Sequence, residues 1–188
     1  MIGGVVLAAG GGTRFGGPKQ LAELGDRPLL EHALLALSQV PAIGRFVVVL
    51  GAYADQIRAR VELHGAEPVV CESWADGQAA SLSAGLAALD GADAAVVTLG
   101  DQPGITPGAI EAVLAHFDGT RPVRAIYDGR PGHPVILTRE LMRRAMEVRG
   151  DTGARDLLEQ ADVRRVEVSH LCQPEDVDTP GDLDLLRA

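Results

Sequence analysis

The stretch that decides the fold of this chain is VVLAAGGGTRFGGPK, residues 5–19. Its apolar run Val5–Ala9 predicts a buried strand, which ends abruptly at the glycines of residues 10–12. Such glycines let the main chain come close to a ligand, and Arg14 and Lys19 add positive charge beside them. Because cations and backbone N–H groups bind phosphate oxygens, the loop is a candidate phosphate site. The alternative is a flexible turn with solvated Arg14 and Lys19.

Two familiar phosphate-binding loops do not fit these residues. A Walker A loop needs lysine directly after its last glycine, but Pro18 separates Gly17 from Lys19. A dinucleotide fingerprint that begins at Gly10 needs a glycine where Phe15 stands. A phosphate loop here is therefore of another kind.

Outward from this loop, predicted strands alternate with predicted helices. Apolar runs predict further strands at residues 46–50, 69–71, 94–99, 123–127 and 135–137. Helical spacing predicts helices at residues 28–39, 54–63 and 78–89, and Thr106-Pro107 and Thr179-Pro180 each mark a helix start. This order favours a single α/β domain over residues 1–188, with a doubly wound, mostly parallel sheet. The strands around the turn 128–130 add a small antiparallel element.

Charge and composition exclude several classes of function. The 188 residues include 17 Lys and Arg against 26 Asp and Glu, a formal net charge of −9, without a basic block. Nucleic-acid binding needs clustered cations, whereas a small phosphorylated ligand needs only a few. No apolar run is long enough to span a membrane, and Met1 leads directly into a strand without a signal peptide. We therefore expect a cytoplasmic protein that binds neither nucleic acid nor membrane.

Two carboxylates follow at places where an open α/β sheet binds ligands, outside the carboxyl ends of its strands. Asp101 comes directly after the strand at residues 94–99, and Asp178 directly precedes the last helix. Mg²⁺ is usually held by one or two carboxylates together with phosphate oxygens and water. The alternatives are a turn-forming Asp101 and a helix-entry Asp178. Asp176 is expected to be a solvated partner.

The loop at residues 7–19 resembles the signature L-A-A-G-x-[GS]-x-R-x-G-x-P-K of the MobA/MocA-like nucleotidyltransferases, which modify the molybdenum cofactor. Phe15 departs from this pattern at a position where Met is commoner. The family's G-D-x-P and D-[IV]-D-T-P motifs are matched at residues 100–103 and 176–180, in the same order. The resemblance covers nearly the whole chain. It implies a Rossmann-like nucleotide-diphospho-sugar transferase fold, with Asp101 and Asp178 as Mg²⁺ ligands.

The same resemblance implies which residues contact the nucleotide. Residues 74–85 match the family segment W-x-x-G-x-x-x-S-L-x-x-G, although a small-residue helix packed on the sheet would have the same composition. Arg14 and Lys19 are implied to be catalytic, by holding the triphosphate. The implied nucleotide-binding residues are Leu7, Ala8, Ala9, Gly10, Gly11, Gly12, Gly77, Gln78, Ser81 and Asp101.

Two further motifs imply an acceptor site. Residues 132–134 resemble the family's G-H-P motif, and residues 150–155 its G-D-x-G-[AS]-R motif. His133 and Arg155 would then contact a phosphorylated acceptor. A structural His133 remains open, as does a helix cap at Asp151 or Thr152.

The reaction that the resemblance implies is the transfer of CMP from CTP, or of another nucleotide, to the phosphate of molybdopterin. Leu-Ala-Ala-Gly, with Ala9, resembles the cytidylyltransferases, whereas Leu-Ala-Gly-Gly is typical of the guanylyltransferases. A client molybdoenzyme is a further implied partner. The alternatives are a guanylyltransferase, a methylerythritol-phosphate cytidylyltransferase and a non-catalytic nucleotide-binding chaperone.

Overall fold

Strands and helices alternate along most of the chain. A computed structural model describes residues 1–148 and 154–187. Within these ranges the strands are β1 (Ile2–Ala8), β2 (Glu23–Leu24), β3 (Arg27–Pro28), β4 (Ile43–Leu50), β5 (Glu67–Val70), β6 (Ala94–Leu99), β7 (Val123–Tyr127), β8 (Arg130–Thr138) and β9 (Arg164–Glu167). The helices are α1 (Leu29–Ser38), α2 (Ala54–Arg60), α3 (Gln78–Ala88), α4 (Pro107–Leu114), α5 (Arg139–Ala145), α6 (Arg155–Gln160) and α7 (Pro180–Arg187). None of these described helices combines the length and apolar character that crossing a bilayer requires.

Seven of the described strands form one sheet, in the order β5-β4-β1-β6-β8-β7-β9. β1 pairs in parallel with β4 on one edge and with β6 on the other, and β5 extends this parallel part. β8 runs antiparallel to both β6 and β7, while β9 is parallel to β7. β2 and β3 form a separate antiparallel pair. The prediction of a mostly parallel sheet with a small antiparallel element is confirmed.

Helices cover both faces of the sheet, so the sheet is doubly wound as predicted. Successive residues of a strand point to opposite faces, and Val6 accordingly belongs to one core cluster and Val5 to the other. Helices α1, α2 and α4 bury apolar residues on the side of Val6, and α3, α5 and α6 on the side of Val5. A strand covered on both faces has no solvent side. This is why β4 and β6 are apolar runs rather than alternating patterns.

Local sequence signals correctly mark several element boundaries. Thr106 Oγ1 accepts a hydrogen bond from Ala109 N at 3.2 Å, which caps α4 at the predicted start. Asp128 and Gly129 have φ values of 50° and 79°, the left-handed conformation that a two-residue hairpin turn requires. Arg130, predicted to lie in this turn, is instead the first residue of β8 and pairs with Tyr127.

Helix α3 approaches the sheet closely at Gly85. A Cβ atom at this position would lie 2.7 Å from Val5 Cγ1 and 2.8 Å from Val49 Cγ2. β-branched side chains have few rotamers and cannot easily turn aside. The absence of a side chain at Gly85 is therefore what allows α3 to pack at this distance from β1 and β4.

We expect Gly85→Ala to lower the free energy of unfolding. Overpacking a core costs about 1–3 kcal/mol. This cost outweighs the gain of up to about 1 kcal/mol that the better helix propensity of alanine brings. Thermal unfolding measures the change.

Gly108→Ala is the matched control, because Gly108 also lies in a helix but is exposed. Its added Cβ would meet nothing nearer than Thr106 Oγ1 at 4.0 Å. We expect this variant to melt at or above the wild-type temperature. Equal melting temperatures for the two variants would contradict the assigned close packing.

Candidate functional site

A cavity of about 440 Å³ lies where β1 and β6 end. Carboxyl ends of parallel strands open at one edge of the sheet, so the loops that follow them converge there. Residues from the glycine-rich loop, the start of α3, the end of β6 and the segment before α7 line the cavity. The predicted site residues among them are Leu7, Ala8, Ala9, Gly10, Gly12, Arg14, Lys19, Gly77, Gln78, Ser81, Asp101 and Asp178.

Gly11 is the predicted nucleotide contact that does not line this cavity. A Cβ atom on Gly11 would lie 3.2 Å from Cη2 of Trp74, so this glycine leaves room for the indole ring. Trp74 itself lines the cavity. The structure thus gives Gly11 a supporting position behind the wall that Trp74 forms.

The glycine-rich loop folds into a compact turn around Gly12. The Gly12 carbonyl oxygen accepts hydrogen bonds from the N–H groups of Phe15, Gly16 and Gly17, at 3.0, 2.9 and 3.2 Å. Gly12 has a φ of 61°, and a Cβ atom there would lie 2.0 Å from the Gly17 carbonyl oxygen. Any other residue at position 12 would therefore disrupt the turn that places Arg14 at the cavity.

Gln20 braces this loop, a role that sequence reasoning missed. Its Nε2 donates to the carbonyl oxygens of Ala8 and Gly10, at 2.8 and 2.9 Å, and the residue is only 3% exposed. These bonds fix the backbone at the point where β1 ends. The sequence alone cannot distinguish such a brace from a solvated side chain, because nothing local to Gln20 shows which carbonyl oxygens it meets.

Lys19 joins the two predicted metal ligands. Its Nζ lies 2.8 Å from Asp101 Oδ2 and 3.0 Å from Asp178 Oδ1, and its side chain is 13% exposed. Arg14 Nη1 lies 3.0 Å from Asp178 Oδ2 and is largely exposed. Burial lowers the pKa of Lys19, but Asp101 and then Asp178 outweigh this effect and raise the pKa above its ordinary value. Lys19 is therefore a cation at neutral pH.

Asp178 reaches this position because the segment before α7 is anchored on both sides. The Val177 N–H donates to the Asp101 carbonyl oxygen at 2.9 Å, and the Val177 side chain is buried with Leu29 and Leu183. Asp182 then accepts hydrogen bonds from the N–H groups of Asp178 and Thr179, at 3.0 and 2.7 Å. These bonds satisfy the start of α7 and hold Asp178 facing Lys19.

The two carboxylates fit a hard divalent cation. Oxygens of Asp101 and Asp178 converge on a single ammonium group at 2.8 and 3.0 Å, so they lie close enough to share one ion. In addition, Asp101 Oδ1 is buried and has no hydrogen-bond partner among the described residues. An unpaired buried carboxylate oxygen is costly unless a ligand satisfies it, and carboxylate oxygen is a preferred ligand of Mg²⁺.

Asp176 lies beside this ion-paired group but is not a member of it. It is exposed, and its Oδ1 accepts a hydrogen bond from Gln102 Nε2 at 2.8 Å. It makes no ion pair with the cations of the cavity within the described parts of the chain. Partial burial, and next the charge of Asp101, raise the pKa of Asp176 above its ordinary value, so its carboxyl group lies near the ion-paired group without joining it.

A second group of side chains that could ligate a metal ion lies elsewhere. It consists of Glu31, Glu62 and His64. His64 Nε2 and Glu31 Oε1 are 3.1 Å apart and satisfy each other by a hydrogen bond. Glu62 is largely exposed, with Oε1 at 3.8 Å from His64 Nδ1. This cluster contributes nothing to the cavity at the ends of β1 and β6.

A smaller cavity of about 70 Å³ adjoins the first, since Leu7 and Gln78 line both. It brings together the two predicted acceptor contacts, His133 and Arg155, and adds Arg124 of β7, which sequence reasoning missed. Burial, and next the charge of Arg124, lower the pKa of His133 to about 4. His133 is therefore neutral at physiological pH. The rest of the G-D-x-G motif, residues 150–153, lies outside the described residues.

Comparisons with known proteins agree with this architecture. The sequence matches the MobA-like NTP transferase domain over residues 4–166. It is 36% identical over 187 residues to nicotine blue oxidoreductase of Paenarthrobacter nicotinovorans, covering 94% of this chain and 91% of that protein.

Solved structures show the same fold over their whole length. Rv0371C of Mycobacterium tuberculosis H37Rv, in complex with manganese, is similar with a TM-score of 0.85 at 32% identity, covering 98% of this chain and 97% of that one. A nucleotidyl transferase from Methanothermobacter thermautotrophicus has a TM-score of 0.84 at 25% identity, covering 100% of this chain and 96% of that one. By its sequence match and its fold, the chain belongs to the MobA-like NTP transferase family of nucleotidyltransferases.

Proposed function

We propose that this protein transfers CMP from CTP to the phosphate of a molybdopterin-like acceptor and releases pyrophosphate. The observation that carries the proposal is the contact of Lys19 with both Asp101 and Asp178 beside the glycine-rich loop. Nucleotidyl transfer needs cations for the triphosphate and carboxylates for a divalent metal ion, and this cavity supplies both. The similar protein Rv0371C has been solved in complex with manganese, which supports the use of a divalent metal ion by this fold.

In this proposal the glycine-rich loop binds the triphosphate. The N–H groups of Gly10, Gly11 and Gly12 donate no hydrogen bond to any described residue, so they are available to phosphate oxygens. Lys19 and Arg14 exchange their carboxylate partners for the phosphates. Asp101 and Asp178 would hold Mg²⁺, which would offset negative charge on the phosphates.

The chemical step forms one bond and breaks one. An oxygen of the acceptor phosphate attacks the α-phosphorus of CTP, and the bond from that phosphorus to the bridging oxygen of pyrophosphate breaks. A phosphate monoester is already largely ionised near neutral pH, so no general base is required. The residues act by positioning the reactants and stabilising charge, which is how such transfers are generally catalysed. His133 and Arg155 hold the acceptor, and a client molybdoenzyme receives the product.

A reductase is the second candidate function, because a relative that covers nearly the whole chain is named nicotine blue oxidoreductase.

One experiment separates the transferase from the reductase. Purified protein is given CTP, GTP, ATP or UTP with Mg²⁺ and molybdopterin or methylerythritol phosphate, and pyrophosphate is measured. In parallel, oxidation of reduced nicotinamide dinucleotides, with nicotine blue as the electron acceptor, is followed by absorbance. Pyrophosphate release supports the transferase, and dinucleotide oxidation without any pyrophosphate overturns it.

We expect Asp101→Asn to lower turnover by about a hundredfold or more, because it removes charge that holds the metal ion while keeping the side chain's size. Turnover is measured by pyrophosphate release at saturating CTP and limiting Mg²⁺. Asp176→Asn makes the same change nearby, at a residue that contacts Gln102 rather than Lys19. It should retain most activity, and equal losses in both variants would contradict the assigned metal ligand.

We expect Lys19→Ala to lower both kcat and kcat/KM for the triphosphate, since the ammonium group would stabilise charge that develops on the phosphates. The loss should be about a hundredfold, the size typical of one strong electrostatic contact. Arg14→Ala should cost less, because Arg14 is mostly exposed and has a single ion pair. A Lys19→Ala protein that altered only the KM of the acceptor would place the lysine on the other substrate.

We expect the unmutated protein to prefer CTP over GTP in kcat/KM. A pocket shaped for a pyrimidine cannot admit a purine without moving its walls or leaving polar groups unpaired. Ala9→Gly should relax this preference without abolishing activity, because Gly77, Gln78 and Ser81 also line the cavity. Equal use of CTP and GTP by the wild type would refute the cytidylyl assignment alone.

A further inference from the structure

Arg124 is a partly buried cation without a carboxylate partner in the part of the chain that the structure describes. Its Nε donates to the Gly132 carbonyl oxygen at 3.1 Å, and its other N–H groups have no partner among the described residues. No described carboxylate lies within ion-pair distance of it, although many other arginines of this acidic chain form such pairs. Buried charges are normally paired, so the free face of Arg124 is a feature that calls for an explanation.

The environment of Arg124 disfavours the charged form of its guanidinium group. Burial lowers the pKa of its guanidinium group, and the neighbouring positive charges of Arg155 and Arg165 lower it further. Glu159 opposes this effect only from a distance. Positive charges that are held together without a counter-ion are stabilised by any anion that binds between them.

The cavity beside Arg124 matches one small anion in size and chemistry. It measures about 70 Å³ and is lined by Arg124, Arg155 and His133. His133 is neutral and can donate one N–H group. Arg14, Lys19, Asp101 and Asp178 do not line this cavity, so a group bound here is distinct from the phosphates held at the larger one.

We propose that the smaller cavity binds a small oxyanion, phosphate or carboxylate, with Arg124 as its main anchor and Arg155 and His133 beside it. Resting on the proposed function, this oxyanion is carried by the acceptor. Arg124 is then a specificity-determining residue, because an acceptor without that group would leave the guanidinium unpaired. Leu7 and Gln78, which line both cavities, form the boundary across which the acceptor extends to the nucleotide.

Binding of inorganic phosphate and of acetate tests the anion site without any turnover. The titrations use a Lys19→Ala background, which weakens phosphate binding at the larger cavity, and are followed by the rise in melting temperature. Arg124→Met should weaken the binding of one of these anions by about tenfold or more, the usual effect of losing a charge-assisted hydrogen bond. Arg124→Lys should be intermediate, because lysine keeps the charge but loses the planar fork.

Arg60→Met is the matched control, since it removes the same charge from an exposed residue of α2 that makes no ion pair with any described residue. It should leave anion affinity unchanged. An Arg124-dependent response to phosphate identifies the group as a phosphate, and one to acetate identifies a carboxylate. Equal anion affinity in the Arg124→Met and Arg60→Met proteins, or no anion response at all, would overturn the proposal.

The outcome is separable from that of the proposed function. If both hold, Arg124→Met in the otherwise wild-type protein raises the KM of the acceptor about tenfold or more and leaves the KM of CTP unchanged. If Arg124-dependent anion binding is found without pyrophosphate release, the anion site stands and the transferase proposal fails. If transfer occurs while Arg124→Met leaves both the acceptor KM and anion binding unchanged, the anion site is wrong and the transferase stands.

Discussion

The hydrogen bonding of β1 along both of its edges is the constraint on which the rest of the structure depends. Parallel pairing brings Ala8 beside Leu50 of β4 and Leu7 beside Leu99 of β6, so three chain segments leave the sheet at one edge. These segments lie so close to one another that two positions require glycine. A Cβ atom on Gly51 would lie 2.4 Å from the Ala9 carbonyl oxygen, and one on Gly100 would lie 2.9 Å from Ala8 Cβ. β1 is hydrogen-bonded along both edges, and Gly51 and Gly100, which follow the neighbouring strands, carry no side chain. Together these two features leave room for the cavity.

Much of the fold could be predicted from the sequence, because its central strands are buried on both faces and appear as apolar runs. β6 lies at the predicted residues, and α1 lies within one residue of the predicted ends. The strands that carried no signal are short or lie at an edge. β9 is Arg-Arg-Val-Glu, with only Val166 buried, so nothing in its local sequence distinguishes it from a loop. Its place beside β7 follows from long-range pairing, which local patterns do not encode.

The residues of the candidate site likewise divide into those that could be predicted from the sequence and those that could not. Those that lie in compact motifs, such as Lys19, Asp101 and Asp178, could be singled out from the sequence, and they do come together. Gln20 and Arg124 could not, because their importance depends on what surrounds them. Gln20 matters through two carbonyl oxygens that the end of β1 presents, and Arg124 because no carboxylate of the described residues pairs with it. The pairing of Lys19 with the carboxylates, rather than with solvent, likewise appears only when the strand ends and the segment before α7 meet.

The hydrogen bond from the Val177 N–H to the Asp101 carbonyl oxygen brings a segment from beyond the family match into the candidate site. The match with the MobA-like NTP transferase domain ends at residue 166, which is near the end of β9. Asp178 lies beyond that point and reaches Lys19 because Val177 attaches the C-terminal segment to the backbone at Asp101, while Asp182 holds the start of α7. The match with the domain model thus outlines the unit that builds the sheet, whereas Asp178 lies in a segment beyond it that similar solved structures also cover. A shared family range can therefore be complete as a scaffold and still lack one member of the charged group.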